Sequence, residues 1–239
     1  MNGSLVDLHS HILPGIDDGS PDVDTSAVML RREAEQGVDV VCATSHYYAH
    51  REGIDTFCER RAEAMERLAA VLTADLPRVL PAAEVAYFPH MEEQELTPLC
   101  IHGTRTLLLE MPFADWTSLQ TEAVEALVLD CGYQVVLVHP ERFCFSGSNR
   151  SQLRRLAQLP IGLQVNAGSL IRWQTRRLAL DLLQLAQMPL LGSDCHNLTS
   201  RPPNLKGGRA VIRRKLGEDF LNQMDENAAL AVQRWEWSR

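Results

Sequence analysis

The chain has 239 residues, 45% of them hydrophobic and 23% charged, a size and balance that suit one globular domain and exclude a disordered chain. No apolar run reaches the roughly 18 residues that a membrane-spanning helix needs, and a formal net charge of −8 has the wrong sign for a surface that tracks nucleic acid. Six widely spaced cysteines form no Cys-x-x-Cys pair, and the N-terminus shows no basic segment leading into an apolar run; both features lead us to expect reduced thiols and a cytoplasmic protein.

Seven short β-rich runs alternate with stretches of helical spacing. Leu5 to Leu8 runs into His9 and His11, and Asp17-Asp18-Gly19-Ser20 precedes a helix over Ser26 to Gln36 that Gly37 follows. Val38 to Thr44 runs into His46, ahead of a helix over Thr56 to Ala74. Arg78 to Ala83 delivers Glu84; Leu107 to Leu109 delivers Glu110, before a helix over Ser118 to Cys131 that Gly132 follows. Gln134 to Val138 delivers His139, ahead of a helix over Asn149 to Gln158. Leu163 to Val165 delivers Asn166, a helix spans Gln174 to Gln187, and Leu190 to Gly192 leads through Ser193 to Asp194 and His196. The tail from about residue 206 reads as helix, with Ala210 to Ile212 and Ala228 to Val232 as stripes that pack against the body.

Repeated β-α units imply a largely parallel sheet with helices outside. Seven such units in about 200 residues suit a distorted (β/α)7 TIM-like barrel, with residues 1–239 as a single domain. In such a barrel the strand C-termini share one face, so His9, His11, His46, Glu84, Glu110, His139, Asp194 and His196 converge there. A lone buried histidine or glutamate is ordinarily a hydrogen-bonded structural group. Five of the 8 histidines just past strand ends are hard to attribute to composition, whereas His50, His90 and His102 fall outside the pattern and read as surface residues. Mixed nitrogen and oxygen donors suit zinc, manganese or iron better than calcium, and there are more of them than one ion needs. Asp18 reads either as a turn residue or as a further ligand, and its place beside His9-x-His11 favours the ligand. Arg142 and Arg201 follow His139 and His196 on the same face, where a guanidinium fork pairs with a tetrahedral anion. Tyr47, Tyr48, Phe113, Trp116, Phe143 and Trp173, on the same loops, offer an aromatic cleft or simply barrel packing.

A thiol-based alternative lies in Cys144 to Arg150, which reads Cys-x-x-Gly-x-x-Arg like the phosphate loop of thiol-dependent phosphatases. Cys144 lies five residues past the strand end at His139, whereas such a loop leaves its strand directly.

The run from Asp7-Leu8-His9-Ser10-His11 through Asp17-Asp18-Gly19-Ser20 resembles the opening motif of the polymerase and histidinol phosphatase (PHP) superfamily. More narrowly, it resembles the metal-dependent protein-tyrosine phosphatases of bacterial capsule and exopolysaccharide gene clusters. Further matches are Ala43 to His46, Ala83 to Tyr87, Leu109 to Met111, Val138 to Phe143, Gln164 to Ser169, Gly192 to Leu198 and Arg201 to Pro203, so the resemblance runs from residue 5 to about 205. It implies a PHP-type barrel holding three divalent transition-metal ions, usually manganese, with iron or zinc as substitutes. His9, His11, Glu84 and Asp194 would hold the first ion. Glu84 would bridge to a second, held by Glu110 and His139, and Asp18, His46 and His196 would hold the third. The resemblance further implies that Arg142 and Arg201 grip phosphate while a metal-bridging hydroxide attacks phosphotyrosine on a protein, the tail of a tyrosine autokinase of capsule synthesis. Two readings stand beside it: a small-molecule phosphatase of histidinol-phosphate type, and a regulator that binds a phosphoprotein without cleaving it.

Overall fold

Residues two apart along a strand face the same way, and that alternation separates a barrel interior from a helix-packed exterior in this chain. The computed structural model describes residues 4–144 and 146–233. Its strands are β1 (Val6–Ser10), β2 (Val40–Tyr47), β3 (Arg78–Ala86), β4 (Thr106–Glu110), β5 (Gln134–Val138), β6 (Gly162–Asn166) and β7 (Met188–Gly192). They lie in sequence order, each parallel to the next. Beyond the end of β7 the chain returns to β1: Asp194 N donates to His9 O at 2.8 Å, and His11 N to Cys195 O at 2.9 Å. The result is a nearly closed seven-stranded barrel with helices outside, as the β-α alternation predicts.

Between the strands run α1 (Val23–Ala34), α2 (Ile54–Ala69), α3 (Ser118–Leu129), α4 (Gly147–Leu156), α5 (Ala167–Ile171) and α6 (Trp173–Leu185). Outward residues such as Val41, Leu107, Leu137 and Val165 pack under Leu30 of α1, Leu68 of α2, Leu127 of α3 and Leu183 of α6 in the larger of two apolar clusters. The smaller cluster is the barrel interior, where Val6, Leu8, Val40, Cys42, Ala82, Leu108, Val136 and Leu190 meet. Continuing the same parity up each strand, Ala82 is followed by Glu84, Leu108 by Glu110 and Leu190 by Gly192. One inward row thus changes from apolar at the base to ligand-type side chains at the C-terminal mouth.

In β1 that parity is broken once. Val6 pairs with Val40 and Asp7 with Val41, but Ser10 pairs with Ala43, so β1 carries one residue more than β2, a β-bulge. The extra residue lets Leu8 stay in the interior cluster while His9 and His11 both point into the mouth above it.

The tail forms α7 (Leu205–Leu216) and α8 (Glu218–Ala231). Val211 and Ile212 join the outer cluster. Ala228 and Ala231 enter the interior cluster instead, and Thr106 Oγ1 at the start of β4 donates to Ala231 O at 2.8 Å, so α8 closes the N-terminal end of the barrel. Residues 234–239 of the expected helical tail lie outside the described residues.

Several boundaries differ from expectation for one reason. The β2–β3 ladder continues through His46 opposite Glu84, so these two residues lie within their strands rather than beyond them. Sequence periodicity over five residues gives no helical signal, and α5 was not expected. No helix among the described residues is long and apolar enough to cross a membrane.

Leu190 is fully buried at the centre of the barrel interior. Leu190→Ala should cost about 2–5 kcal/mol, read as a lower urea midpoint in chelator-treated protein; an unchanged midpoint would mean that the interior is not close-packed.

Candidate metal centre

Polar side chains at the barrel mouth are held from behind, which fixes where their free lone pairs point. His9 Nδ1 lies 2.8 Å from Gln164 Oε1, and His11 Nδ1 lies 2.9 Å from Asp17 Oδ2. Both oxygens only accept, so each Nδ1 carries the proton and each Nε2 presents a lone pair. His196 follows the same rule, its Nδ1 donating to Asp194 O at 3.0 Å while Nε2 is buried without a hydrogen-bond partner.

Those lone pairs face one another. His9 Nε2 and His11 Nε2 are 3.2 Å apart, and each is 3.2 Å from Glu84 Oε2 and 3.6 Å from Asp194 Oδ1. Around a cation with bonds of about 2.1 Å, neighbouring donors stand roughly 3.0 Å apart at right angles and roughly 3.4 Å apart in a tetrahedron, so this set fits a divalent ion. Glu84 Oε1 reaches His139 Nε2 at 2.5 Å, with Glu110 Oε1 at 3.6 Å from the same nitrogen. Glu84 Oε2 lies 3.0 Å from His46 Nδ1. Asp18 Oδ1 stands 3.4 Å from His46 Nε2 and 3.5 Å from His196 Nε2. The structure brings all nine candidate ligands into one constellation, with Glu84 at its centre and Asp18 the exposed member. Donor atoms gather in three overlapping groups: His9, His11 and Glu84; His46, Glu84 and Glu110; and His11, Asp18, His46 and His196.

The electrostatics show a demand for positive charge. Burial works against protonation of His11, yet Asp17 and Glu84 raise it to about 10. Burial raises Asp194 and Glu84, but His9 with His11 and Arg142 outweigh that at Asp194, and His9 with His139 at Glu84, so both carboxyls end below their usual range. Glu110 is pushed up to about 7 by burial and then by the neighbouring Glu84. Two guanidiniums partly answer this demand: Arg142 lies 3.0 Å from Asp194 Oδ2, and Arg201 lies 2.6 Å from Oδ1. Arg201 is carried back over the site by a loop whose backbone N–H groups at Thr199, Ser200 and Arg201 all donate to Asn197 Oδ1. His139 and Asp194 both adopt positive φ, 35° and 53°, a conformation that non-glycine residues hold only when their surroundings impose it.

Sequence reasoning missed the residues that hold these ligands. Gln164 joins His9 to Asp194: its Nε2 donates to Asn166 Oδ1 at 3.0 Å, and Asn166 Nδ2 donates to Asp194 Oδ2 at 2.6 Å. β6, the strand that delivers no expected ligand, therefore supplies the support. Asp17 orients His11 and also accepts from Gly19 N and His46 N, while the helix cap is Asp22. Outside the barrel wall, Asp7 Oδ1 accepts from Ser193 N at 2.8 Å, beside the buried Glu33 and Cys195. Burial and Asp7 hold Glu33 well above the carboxylate range, so one proton stays on that pair. A polar residue inside an apolar strand, as at Asp7 and Gln164, was the available signal.

The remaining sequence candidates separate cleanly. Tyr47, Trp116 and Phe143 are core residues, whereas Tyr48 stacks on His46 with ring centroids 5.3 Å apart, and Phe113 and Trp173 are 60% and 77% exposed. His50, His90 and His102 are exposed. Cys144 is fully buried, burial pushes its thiol up to about 12, and Arg150 Nε donates to the Cys144 backbone oxygen. It is not a phosphate-loop nucleophile; Phe145 of that motif lies outside the described residues.

A Cβ on Gly192 would stand 2.6 Å from His9 Cβ and 2.7 Å from Gln164 Nε2. Gly192→Ala should therefore displace His9 and its support, lowering metal affinity by about tenfold or more when manganese is titrated by calorimetry. Wild-type affinity in the variant would show that the close approach does not govern the site.

Tyrosine-protein phosphatase YwqE of Bacillus subtilis (strain 168) is 29% identical over 237 residues, covering 95% of this chain and 91% of its own. Tyrosine-protein phosphatase CpsB of Streptococcus pneumoniae is 27% identical over 231 residues, covering 89% and 91%. A solved structure from work on YwqE of B. subtilis and CpsB of S. pneumoniae, described as unique metal-dependent tyrosine phosphatases, superposes with a TM-score of 0.83 at 27% identity, covering 97% of this chain and 96% of its own. The family described as capsular polysaccharide synthesis, CpsB/CapC, matches residues 5–232, and this chain belongs to it.

Proposed function

We propose that this chain is a metal-dependent phosphatase that hydrolyses phosphotyrosine on a protein, the tail of a tyrosine autokinase of capsule or exopolysaccharide synthesis. The observation that carries the reading is the buried set of mutually facing lone pairs at His9, His11 and Glu84, bordered by two arginines on one carboxylate. His9, His11, Glu84 and Asp194 would hold one divalent ion; Glu84, Glu110 and His139 a second; and Asp18, His46 and His196 a third, with manganese the first candidate and iron or zinc next. Such ions lower the pKa of coordinated water toward neutrality and neutralise charge on phosphoryl oxygens.

The chain's own residues supply the rest. Arg142 and Arg201 approach the two oxygens of Asp194 from the rim, so their guanidinium edges stand where a phosphoryl group over the ligands would present its oxygens. Gln164, Asn166 and Asp17 keep the ligands from turning, so little reorganisation is needed as charge develops. The exposed Phe113 offers a ring face beside the mouth, which suits an aromatic side chain presented by a protein. Support for the phosphotyrosine assignment comes from the family and from the relatives named above. The free thiols support the cytoplasmic setting expected from the sequence.

Chelator-treated protein should lose hydrolysis of a phosphotyrosine peptide and regain it with manganese; full activity after metal removal, verified by elemental analysis, overturns the metal reading. Arg142→Ala and Arg201→Ala should keep metal content and fold while lowering kcat/KM by roughly 10²-fold or more, with lysine at either position intermediate. Wild-type efficiency in both alanine variants would remove the arginines from phosphate binding.

A further inference from the structure

The barrel mouth is larger than a phosphoryl group requires. Beside Asp194 it opens into a cleft of about 420 Å³ whose wall includes Arg142, Arg201, Phe113, Arg172 and Asn204. One of these residues, Arg172, has no counterpart for its charge. Arg172, at the junction of α5 and α6, is exposed, and among the described residues no carboxylate lies within ion-pair distance of it, unlike Arg142 and Arg201, which share Asp194. Its backbone is anchored: Arg172 N donates to Gly168 O at 3.1 Å and Arg172 O accepts from Arg176 N at 3.0 Å.

We propose that Arg172 determines substrate specificity by pairing with a carboxylate next to the phosphotyrosine. This inference rests on the phosphotyrosine reading above. A third guanidinium, unpaired and in one cleft with Arg142 and Arg201, matches a polypeptide with an acidic side chain, since a bare phosphomonoester does not use it. The cleft adjoins Asp194 and the two arginines, so its wall meets the residues next to the phosphotyrosine. The chain's net charge of −8 repels an acidic peptide overall, which makes a local guanidinium the group that admits one.

The test uses manganese-loaded full-length protein and two synthetic phosphotyrosine peptides, one with Asp and Glu flanking the phosphotyrosine and one with Asn and Gln. Wild type should hydrolyse the acidic peptide with about two- to fivefold higher kcat/KM, the span expected for a partly exposed ion pair, the difference lying in KM. Arg172→Ala should remove the preference, Arg172→Lys retain part of it, and Arg172→Glu reverse it. Because the readout is a ratio within each variant, a general loss of folding does not imitate it. Equal efficiency on both peptides in wild type, or an undiminished acidic preference in Arg172→Ala, overturns the inference and leaves phosphotyrosine hydrolysis standing. Hydrolysis of neither peptide overturns the phosphotyrosine reading, and this inference with it.

Discussion

Everything at the mouth of this barrel follows from lone pairs forced to face lone pairs. His9 Nε2, His11 Nε2 and Glu84 Oε2 stand 3.2 Å from one another, and the hydrogen bonds behind the two imidazoles commit their protons to the far side. Such an arrangement is repulsive on its own and is stable only with positive charge between the donors. Protons meet the demand in part, as the raised His11 shows; divalent cations meet it fully. The surrounding architecture serves to keep these atoms from relaxing away: parallel strands that converge, a bulge in β1 that aims both histidines inward, and a glycine at Gly192 that leaves room for His9.

The division between what was legible in the sequence and what was not has a physical basis. His46, Glu84, Glu110 and His139 stood out because a titratable residue ending an apolar strand run is rare, and parallel strands bring such ends together by topology alone. Register carries no comparable mark. The bulge between Asp7 and Ser10 depends on pairing with β2 thirty residues away, so the strand period alone could not show how Leu8 and His9 come to share the interior. The supports were hidden for a related reason: Gln164 acts on His9 across 155 positions of sequence, and an amide in a strand has no partner written beside it. The tail was legible as helix from its apolar stripes, but its docking at the base through Ala228 and Ala231 follows from their small size, which lets a helix approach the closing barrel.

Two rows of polar contacts restrain Asp194 from opposite sides of the barrel wall. Inside, Asn166 and Gln164 link it to His9. Outside, Asp7 holds the preceding Ser193 N beside Glu33, whose carboxyl burial and Asp7 hold above its usual range. A residue at φ 53° is costly to hold, and these restraints account for how the fold holds it. The same chain of contacts joins the first and last strands where the ladder is left open, so closure of the barrel and placement of the central ligands are one structural event.

Asp194 also decides how the site divides its charges. Its two oxygens are within reach of both arginines and of His9 and His11, so cations bound at the donors and the guanidiniums would compete for one carboxylate. With ions present, attraction between Asp194 and the arginines would be screened by the added positive charge, and the guanidinium edges would be left to a ligand that brings negative charge of its own. Metal loading and anion binding would then be coupled through a single side chain. A site that demands cations when alone would come to demand an anion once they are bound, which is the electrostatic condition for receiving a phosphoryl group.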